Sequence, residues 1–169
     1  MIASALTPLL DRGHTVVAID DGSTDDTWRV IRSLPVHSLR HPVNLGQGAA
    51  LQTGMSYALE HGAEYIVHFD ADGQHSVDDI DVMLEPLRKG EADIVLGSRF
   101  LRDEDRRAVP PARRALLKGG VIVNGILTRV WLTDAHNGFR ALTRNAAEKI
   151  HLRENRFAHA SEILIQIRR

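Results

Sequence analysis

The segment Ile66-Val-His-Phe-Asp-Ala-Asp72 says more about the fold than any other part of the sequence. It opens as a short apolar run, and we predict a buried strand over residues 65–69. The run ends in Asp70 and Asp72, which lie two positions apart and therefore point to the same side of an extended backbone. Two carboxylates at this place predict either a site for a hard cation or a cap on the next helix.

Strand and helix patterns alternate on both sides of this segment. Three more strands are predicted, at residues 15–19, 36–39 and 93–97. Apolar residues at helical spacing predict two packing helices. The first ends at Gly62, and its buried face contains Leu51, Met55, Ala58 and Leu59. The second begins at Ser76, and its buried face contains Ile80, Met83, Leu84 and Leu87. Ser23 is predicted to cap a further helix with Asp25 and Asp26 in its first turn. The alternation is typical of an α/β domain with a mostly parallel sheet and helices on both faces.

The pattern fails over residues 100–114, a charged loop that contains prolines and is longer than most connections. We expect this loop to act as a flexible flap. After it we predict a helix over residues 115–132, an extended segment over 137–142 and a helix over 144–150.

Composition limits the classes of function. The chain has 169 residues, 43% of them apolar and 25% charged, which predicts one folded domain over residues 1–169. The net charge of −1 argues against a general nucleic-acid binder, and the lack of cysteine excludes disulfides and thiol catalysis. Without a secretory signal or an apolar span of about 20 residues, we expect a cytoplasmic protein with no transmembrane segment, whose membrane contact would be peripheral at the inner face.

Charged residues follow three of the predicted strands. Asp20 and Asp21 follow the strand at residues 15–19, residues 70–72 follow the strand at 65–69, and Arg99 follows the strand at 93–97. Ligands of α/β sheets bind beyond the carboxyl ends of strands, so we expect these groups to converge. Carboxylate oxygens suit Mg²⁺ or Mn²⁺, and Gln74 would add another oxygen.

Five motifs occur in the order Asp20-Asp-Gly-Ser-Thr-Asp-Asp-Thr27, Asn44-Leu-Gly-Gln-Gly-Ala49, Asp70-Ala-Asp-Gly-Gln-His75, Gly97-Ser-Arg99 and Asp134-Ala-His-Asn-Gly-Phe-Arg140. Together they resemble those of family-2 glycosyltransferases of the GT-A fold, above all dolichyl-phosphate mannose synthases and bacterial polyprenyl-phosphate glycosyltransferases. The resemblance implies a Rossmann-like three-layer sandwich. It also implies inverting transfer of a sugar from a UDP- or GDP-sugar to an acceptor such as a polyprenyl or dolichyl phosphate.

The resemblance also implies roles for individual residues. Substrate contacts are expected from Asp20, Asp21, Asp25, Asn44, Gly46, Asp70, Arg113, Arg114 and Arg140. Mg²⁺ or Mn²⁺ is expected at Asp70, Asp72 and Gln74. Catalytic roles are expected for Asp72, Arg99 and Glu162, with Glu162 as the base for a hydroxyl acceptor. Gly46 and Gly48 are read either as points of close approach to the substrate or as turn and helix-start glycines.

The chain departs from the family pattern at its beginning. Most members start with an apolar strand ending in Pro-x-Tyr-Asn-Glu, whereas residues 1–12 resemble the helix after that strand, with Gly13 as its stop. We therefore expect a domain that lacks the usual first strand and is shortened at both ends. The strands at residues 15–19 and 65–69 would then close up on each other or pair with another chain, giving a homo-oligomer or a weakly stable monomer.

Two rival functions stay open. The first is a domain that binds nucleotide without transferring sugar. The run Phe69-Asp-Ala-Asp-Gly73 also fits phosphatases of the haloacid-dehalogenase type, although those enzymes usually place this motif first in the chain and follow the glycine with Thr or Val.

Overall fold

The computed structural model describes residues 2–72, 75–97, 138–154, 162–163 and 165–166. Its helices are α1 (Ile2–Asp11), α2 (Thr27–Arg32), α3 (Gln47–Glu60), α4 (Asp78–Arg88) and α5 (Arg144–Lys149). Its strands are β1 (Val17–Asp21), β2 (His37–His41), β3 (Tyr65–His68), β4 (Ile94–Leu96) and β5 (Arg140–Thr143). No helix within these ranges combines the length and the apolar character that crossing a bilayer requires. The loop predicted at residues 100–114 and the helix predicted at 115–132 lie outside the described residues.

The strands form two pieces of sheet. β1 and β2 pair in parallel, with Asp21 opposite His41. β5 lies between β3 and β4 and is antiparallel to both, so β3 and β4 run parallel to each other. The predicted α/β class is confirmed, with β5 as an antiparallel strand among parallel ones.

Apolar residues cover both faces of β5. Ala141 and Leu142 are fully buried and adjacent, and neighbouring side chains of a strand point to opposite faces. Ala141 packs in a cluster with residues of α1 and α4, whereas Leu142 packs in a second cluster with residues of α3 and α5. A sheet with helices on both faces is the three-layer arrangement that the resemblance implies.

Two helices follow the predicted apolar spacing. In α4, the residues predicted to point inward are all buried, namely Ile80, Met83, Leu84 and Leu87. Ser76 lies just before α4 and accepts the backbone N–H of Asp78 through its hydroxyl at 3.2 Å. In α3, Met55 is buried, and Gly62 follows the helix end with a φ of 80°. These predictions are confirmed because the apolar face of each helix decides its packing.

The prediction that Ser23 caps α2 is wrong. The helix begins at Thr27, four residues later. Asp20 is buried at the end of β1 and accepts the backbone N–H of Ser23 at 3.0 Å, which draws Ser23 into a turn before the helix. Asp25 therefore precedes the helix, and its carboxylate accepts the N–H of Thr27 at 3.0 Å.

A cleft of about 700 Å³ is lined by both β1 and β3. Apolar side chains of α1, α3 and α4 also line it, and Gln47 and Asp70 lie on its wall. In the described ranges β1 pairs with β2, and β3 pairs with β5. The expectation that the strands at residues 15–19 and 65–69 close up on each other is therefore wrong, because each pairs with a different strand and residues of both line the cleft. Pairing with another chain stays a prediction.

Candidate active site

The carboxylate of Asp21 lies at the carboxyl end of β1 and is held by three donors. His41 Nδ1 lies 2.7 Å from Oδ1, and the backbone N–H of Leu45 donates to the same oxygen at 3.0 Å. The backbone N–H of Gly46 donates to Oδ2 at 2.7 Å. Burial raises the pKa of Asp21, but the hydrogen bonds from His41, Leu45 and Gly46 outweigh it and hold the pKa below its usual value. Asp21 is therefore ionised at neutral pH.

The carboxylate of Asp70 lies just beyond β3 and is held by side chains and a close backbone. Gln47 donates from Nε2 to Asp70 Oδ1 at 3.1 Å. On the other side, Asp70 packs directly on Gly138, where a Cβ atom would lie only 2.1 Å from Oδ2. Because residue 138 is a glycine without a side chain, the carboxylate of Asp70 can lie next to the start of β5.

Two side chains near Asp70, those of His75 and Arg140, lower its pKa. His75 Nε2 lies 3.8 Å from Oδ2, and this ring lowers the pKa of Asp70 more than any other group. Burial raises that pKa, while the charge of Arg140 and the hydrogen bond from Gln47 lower it further. Arg140 is only 3% exposed, and burial lowers its own pKa while the charge of Asp70 raises it. Asp70 and Arg140 therefore compensate each other's charge inside the protein.

The loop before α3 brings the two carboxylates together. Gly46 donates to Asp21, and the next residue, Gln47, donates to Asp70. Gly46 has a φ of 103°, a conformation that favours glycine, and it precedes the first residue of α3. The helix-start reading of Gly46 is thus supported, and Asp21 and Asp70 flank one short loop, as expected for strand ends that converge.

The described residues offer a divalent cation only part of a coordination shell. Asp72 is exposed two positions beyond Asp70. Among the described side chains, no three of Asp, Glu or His lie close enough together to hold a metal ion. Mg²⁺ is commonly bound by one or two carboxylates together with substrate phosphates, and an ionised Asp70 with Asp72 fits that mode.

Asp20, Asp25 and Asn44 differ in their access to a ligand. Asp20 is 1% exposed, and its Oδ2 lies 3.0 Å from Nε of Arg40. Its carboxylate therefore forms an ion pair within the protein. Asp25 is exposed at the start of α2 and accepts the N–H of Thr27 there. Asn44 is exposed on the loop that Asp21 holds.

The carboxylate of Glu162 binds backbone amides near the end of the described chain. It accepts the N–H groups of Arg153 and Glu154 at 2.9 to 3.1 Å, and Gln166 donates to it at 3.3 Å. These partners all lie within residues 153–166 and include neither Asp21 nor Asp70. The role of Glu162 as a base stays a prediction.

Four predicted site residues lie outside the described residues, namely Gln74, Arg99, Arg113 and Arg114. Their roles stay predictions. Sequence reasoning also missed two residues that hold the site. His41 ends β2 as Asp21 ends β1, which was a usable signal, and Gln47 lies inside one of the quoted motifs. His75 also lies inside a quoted motif, and its ring stacks on Phe139 with a centroid distance of 4.8 Å and lies 3.8 Å from Asp70.

Comparison with known proteins gives consistent results. Residues 1–151 match the model of the family described as glycosyl transferase family 2. An uncharacterized protein of Methanocaldococcus jannaschii is 33% identical, over 98% of this chain and 69% of that protein. The UDP-N-acetylglucosamine–dolichyl-phosphate N-acetylglucosaminyltransferase of Methanococcus voltae is 29% identical, over 98% of this chain and 74% of that enzyme. The polyprenol monophosphomannose synthase of Mycolicibacterium smegmatis is 32% identical, over 81% of this chain and 54% of that enzyme. With its α/β fold and the acids at its strand ends, this chain belongs to glycosyl transferase family 2.

Proposed function

We propose that this chain transfers a sugar from a UDP- or GDP-sugar to a polyprenyl or dolichyl phosphate, with inversion at the anomeric carbon. The observation that carries the proposal is the convergence of Asp21 and Asp70 on residues 46–47. This arrangement places two ionised carboxylates from separate strands at one loop. A nucleotide sugar needs such a site, since its base and ribose require polar partners and its diphosphate requires a cation.

In this proposal different residues bind different parts of the donor. Asp21 binds the base or ribose, either directly or through the loop whose amides it holds. Asp70 and Asp72 hold Mg²⁺ or Mn²⁺, with Gln74 as a further oxygen ligand. The bound cation would neutralise the nucleoside diphosphate as it leaves. His75 and the charge of Arg140 lower the pKa of Asp70, which favours its ionised form.

The acceptor is proposed from its chemistry and from the relatives. A lipid phosphate is already an anionic nucleophile and needs no general base. This agrees with Glu162, whose carboxylate is bound to two backbone N–H groups. The names of two relatives include dolichyl phosphate and polyprenol, which supports the same class of acceptor. Arg99, Arg113 and Arg114 are proposed to bind the diphosphate or the acceptor phosphate through bidentate contacts.

The test is a transfer assay with the whole chain. Labelled UDP- and GDP-sugars are incubated with Mn²⁺ and with vesicles that contain undecaprenyl phosphate or dolichyl phosphate. We expect label in the lipid fraction with one donor, at a rate that Asp72→Asn lowers about 100-fold or more, as removal of a group that stabilises charge in the transition state does. Asp81→Asn serves as a matched control, because Asp81 is an exposed carboxylate on α4 that pairs with Arg88 at 3.5 Å.

The same assay separates the rival functions. Nucleotide binding without transfer for any donor and lipid would support the domain that only binds nucleotide. Release of phosphate from phosphate esters would support a phosphatase, although Asp70 as nucleophile would have to act between Gln47 and Gly138.

Arg114→Ala should weaken binding of the lipid acceptor and spare binding of the nucleotide. An equal loss of affinity for both ligands would place Arg114 at the donor.

A further inference from the structure

His41 connects three elements beside the candidate active site. It is the last residue of β2, lies opposite Asp21 in the sheet and is 8% exposed. Its Nδ1 lies 2.7 Å from Asp21 Oδ1, and its Nε2 lies 2.9 Å from the hydroxyl of Thr53 on α3. One imidazole thus joins the ends of β1 and β2 to the helix that starts at the loop.

The chemistry of these contacts fixes the proton on Nδ1. An ionised carboxylate only accepts hydrogen bonds, so Nδ1 must donate to Asp21. The neutral ring then accepts the hydroxyl proton of Thr53 at Nε2, and a protonated ring would donate to that oxygen. Either way, both ring nitrogens are used and the ring cannot rotate without losing two hydrogen bonds.

The position of Asp21 decides where the loop lies. Its two oxygens accept the N–H groups of Leu45 and Gly46, which are the residues directly before α3. The side-chain donor to this carboxylate is His41, and the other two donors belong to the loop itself. If His41 no longer holds Asp21, both the carboxylate and the loop between Asp21 and Asp70 are free to move.

We propose that His41 is a positioning residue for the nucleotide donor, which acts by fixing the Asp21 carboxylate and the loop at residues 44–46 without touching the nucleotide. This inference rests on the proposed function, because it concerns the donor of that reaction. In this role His41 raises the affinity for the donor, and other residues carry out the chemical step.

The test uses three substitutions that remove the contacts of His41 separately. His41→Leu fills the space without a donor, whereas His41→Asn keeps an N–H near the place of Nδ1. Thr53→Val removes the partner of Nε2 and keeps the imidazole. Binding of UDP and GDP is measured by calorimetry, and the KM for the donor and kcat are measured in the transfer assay. His61→Leu is the control, because His61 is exposed at the end of α3 and its ring stacks on Tyr57.

We expect His41→Leu to raise Kd and the donor KM about tenfold with little change in kcat, which is the effect of losing one hydrogen bond to a charged group. His41→Asn should restore most of the affinity, Thr53→Val should have a smaller effect than His41→Leu, and His61→Leu should have none. In the wild-type protein, imidazole ¹⁵N NMR should show the proton on Nδ1 of His41.

Three results would overturn the proposal. If His41→Leu is folded and binds the nucleotide as the wild type does, His41 does not position the donor site. Equal losses in His41→Leu and His41→Asn would show that ring packing, and not the donor to Asp21, is what counts. If the wild type binds no nucleoside diphosphate, the proposed function fails together with this inference. Normal wild-type binding with either of the first two results overturns the role of His41 alone.

Discussion

The two acidic ends of the site are held in different ways. Asp21 is held by backbone N–H groups of the loop and by His41 on the neighbouring strand. Asp70 accepts a hydrogen bond from the side chain of Gln47 and packs on Gly138, and its pKa is lowered by His75 and by the charge of Arg140. A backbone N–H is kept when its residue is replaced by any residue except proline, whereas a side-chain contact is lost. The Asp21 end should therefore tolerate substitution of Leu45 but not of Gly46, whose φ of 103° favours glycine, and the Asp70 end should be sensitive to changes at β5.

The largest effect is expected when the charge that balances Asp70 is removed. Arg140→Met leaves Asp70 partly buried without its buried counter-charge and should lower the free energy of unfolding by about 3 kcal/mol. The control is Arg88→Met on α4, where the pair with Asp81 is exposed, and it should cost less than about 1 kcal/mol. Urea unfolding of both variants measures the difference. Equal small losses would show that Arg140 does not support the Asp70 end.

A smaller effect is expected from closing the space beside Asp70. Gly138→Ala places a methyl group where the carboxylate lies, which should cost about 2 kcal/mol of stability and weaken binding of the nucleotide with Mn²⁺, because Asp70 must move. Gly90→Ala separates the two effects. Position 90 has open space around it and a φ of 70°, so that variant should cost about 1 kcal/mol through backbone strain and leave nucleotide binding unchanged. Unchanged binding in Gly138→Ala would contradict the place given to Asp70.

The smallest effect is expected in the acid dependence of stability. The pKa values of Asp21 and Asp70 are both lowered below 3.8 in the folded protein. A lowered pKa means that each ionised carboxylate stabilises the fold above the pKa of the unfolded chain and loses this contribution as the pH falls through the folded pKa. The free energy of unfolding should therefore fall as the pH drops below about 4. Asp21→Asn and Asp70→Asn should each flatten this slope, and slopes equal to that of the wild type would show that neither carboxylate is stabilised by its partners.

Local patterns predicted much of the fold. The inward residues of α4 follow helical spacing, which acts over neighbouring turns and is visible in the sequence. The cap of α2 was missed because Asp20, and not Ser23, decides the turn after β1. The alternation of β1 could have shown this, since Ala18 and Asp20 share its buried face and Asp21 lies on the other.

The acidic residues of the candidate site could be predicted from the sequence, but the residues that contact them could not. Asp21 and Asp70 stand out as acids after apolar strands, so their convergence followed from the rule for α/β sheets. Arg140 was expected to contact the substrate, but it is buried beside Asp70. Such contacts join residues far apart in the chain, and they depend on packing that no short motif records.

The most direct test of the central claim is calorimetry of UDP and GDP binding with and without Mn²⁺, in the wild type and in Asp72→Asn. If the Asp70 end holds the cation and the Asp21 end holds the nucleoside, Mn²⁺ should raise the affinity of the wild type for one of the two nucleotides. Asp72→Asn should lose that increase and keep the weaker binding seen without metal, because the contacts of Asp21 are unchanged. An Asp72→Asn variant with the full Mn²⁺-dependent affinity of the wild type would contradict the account.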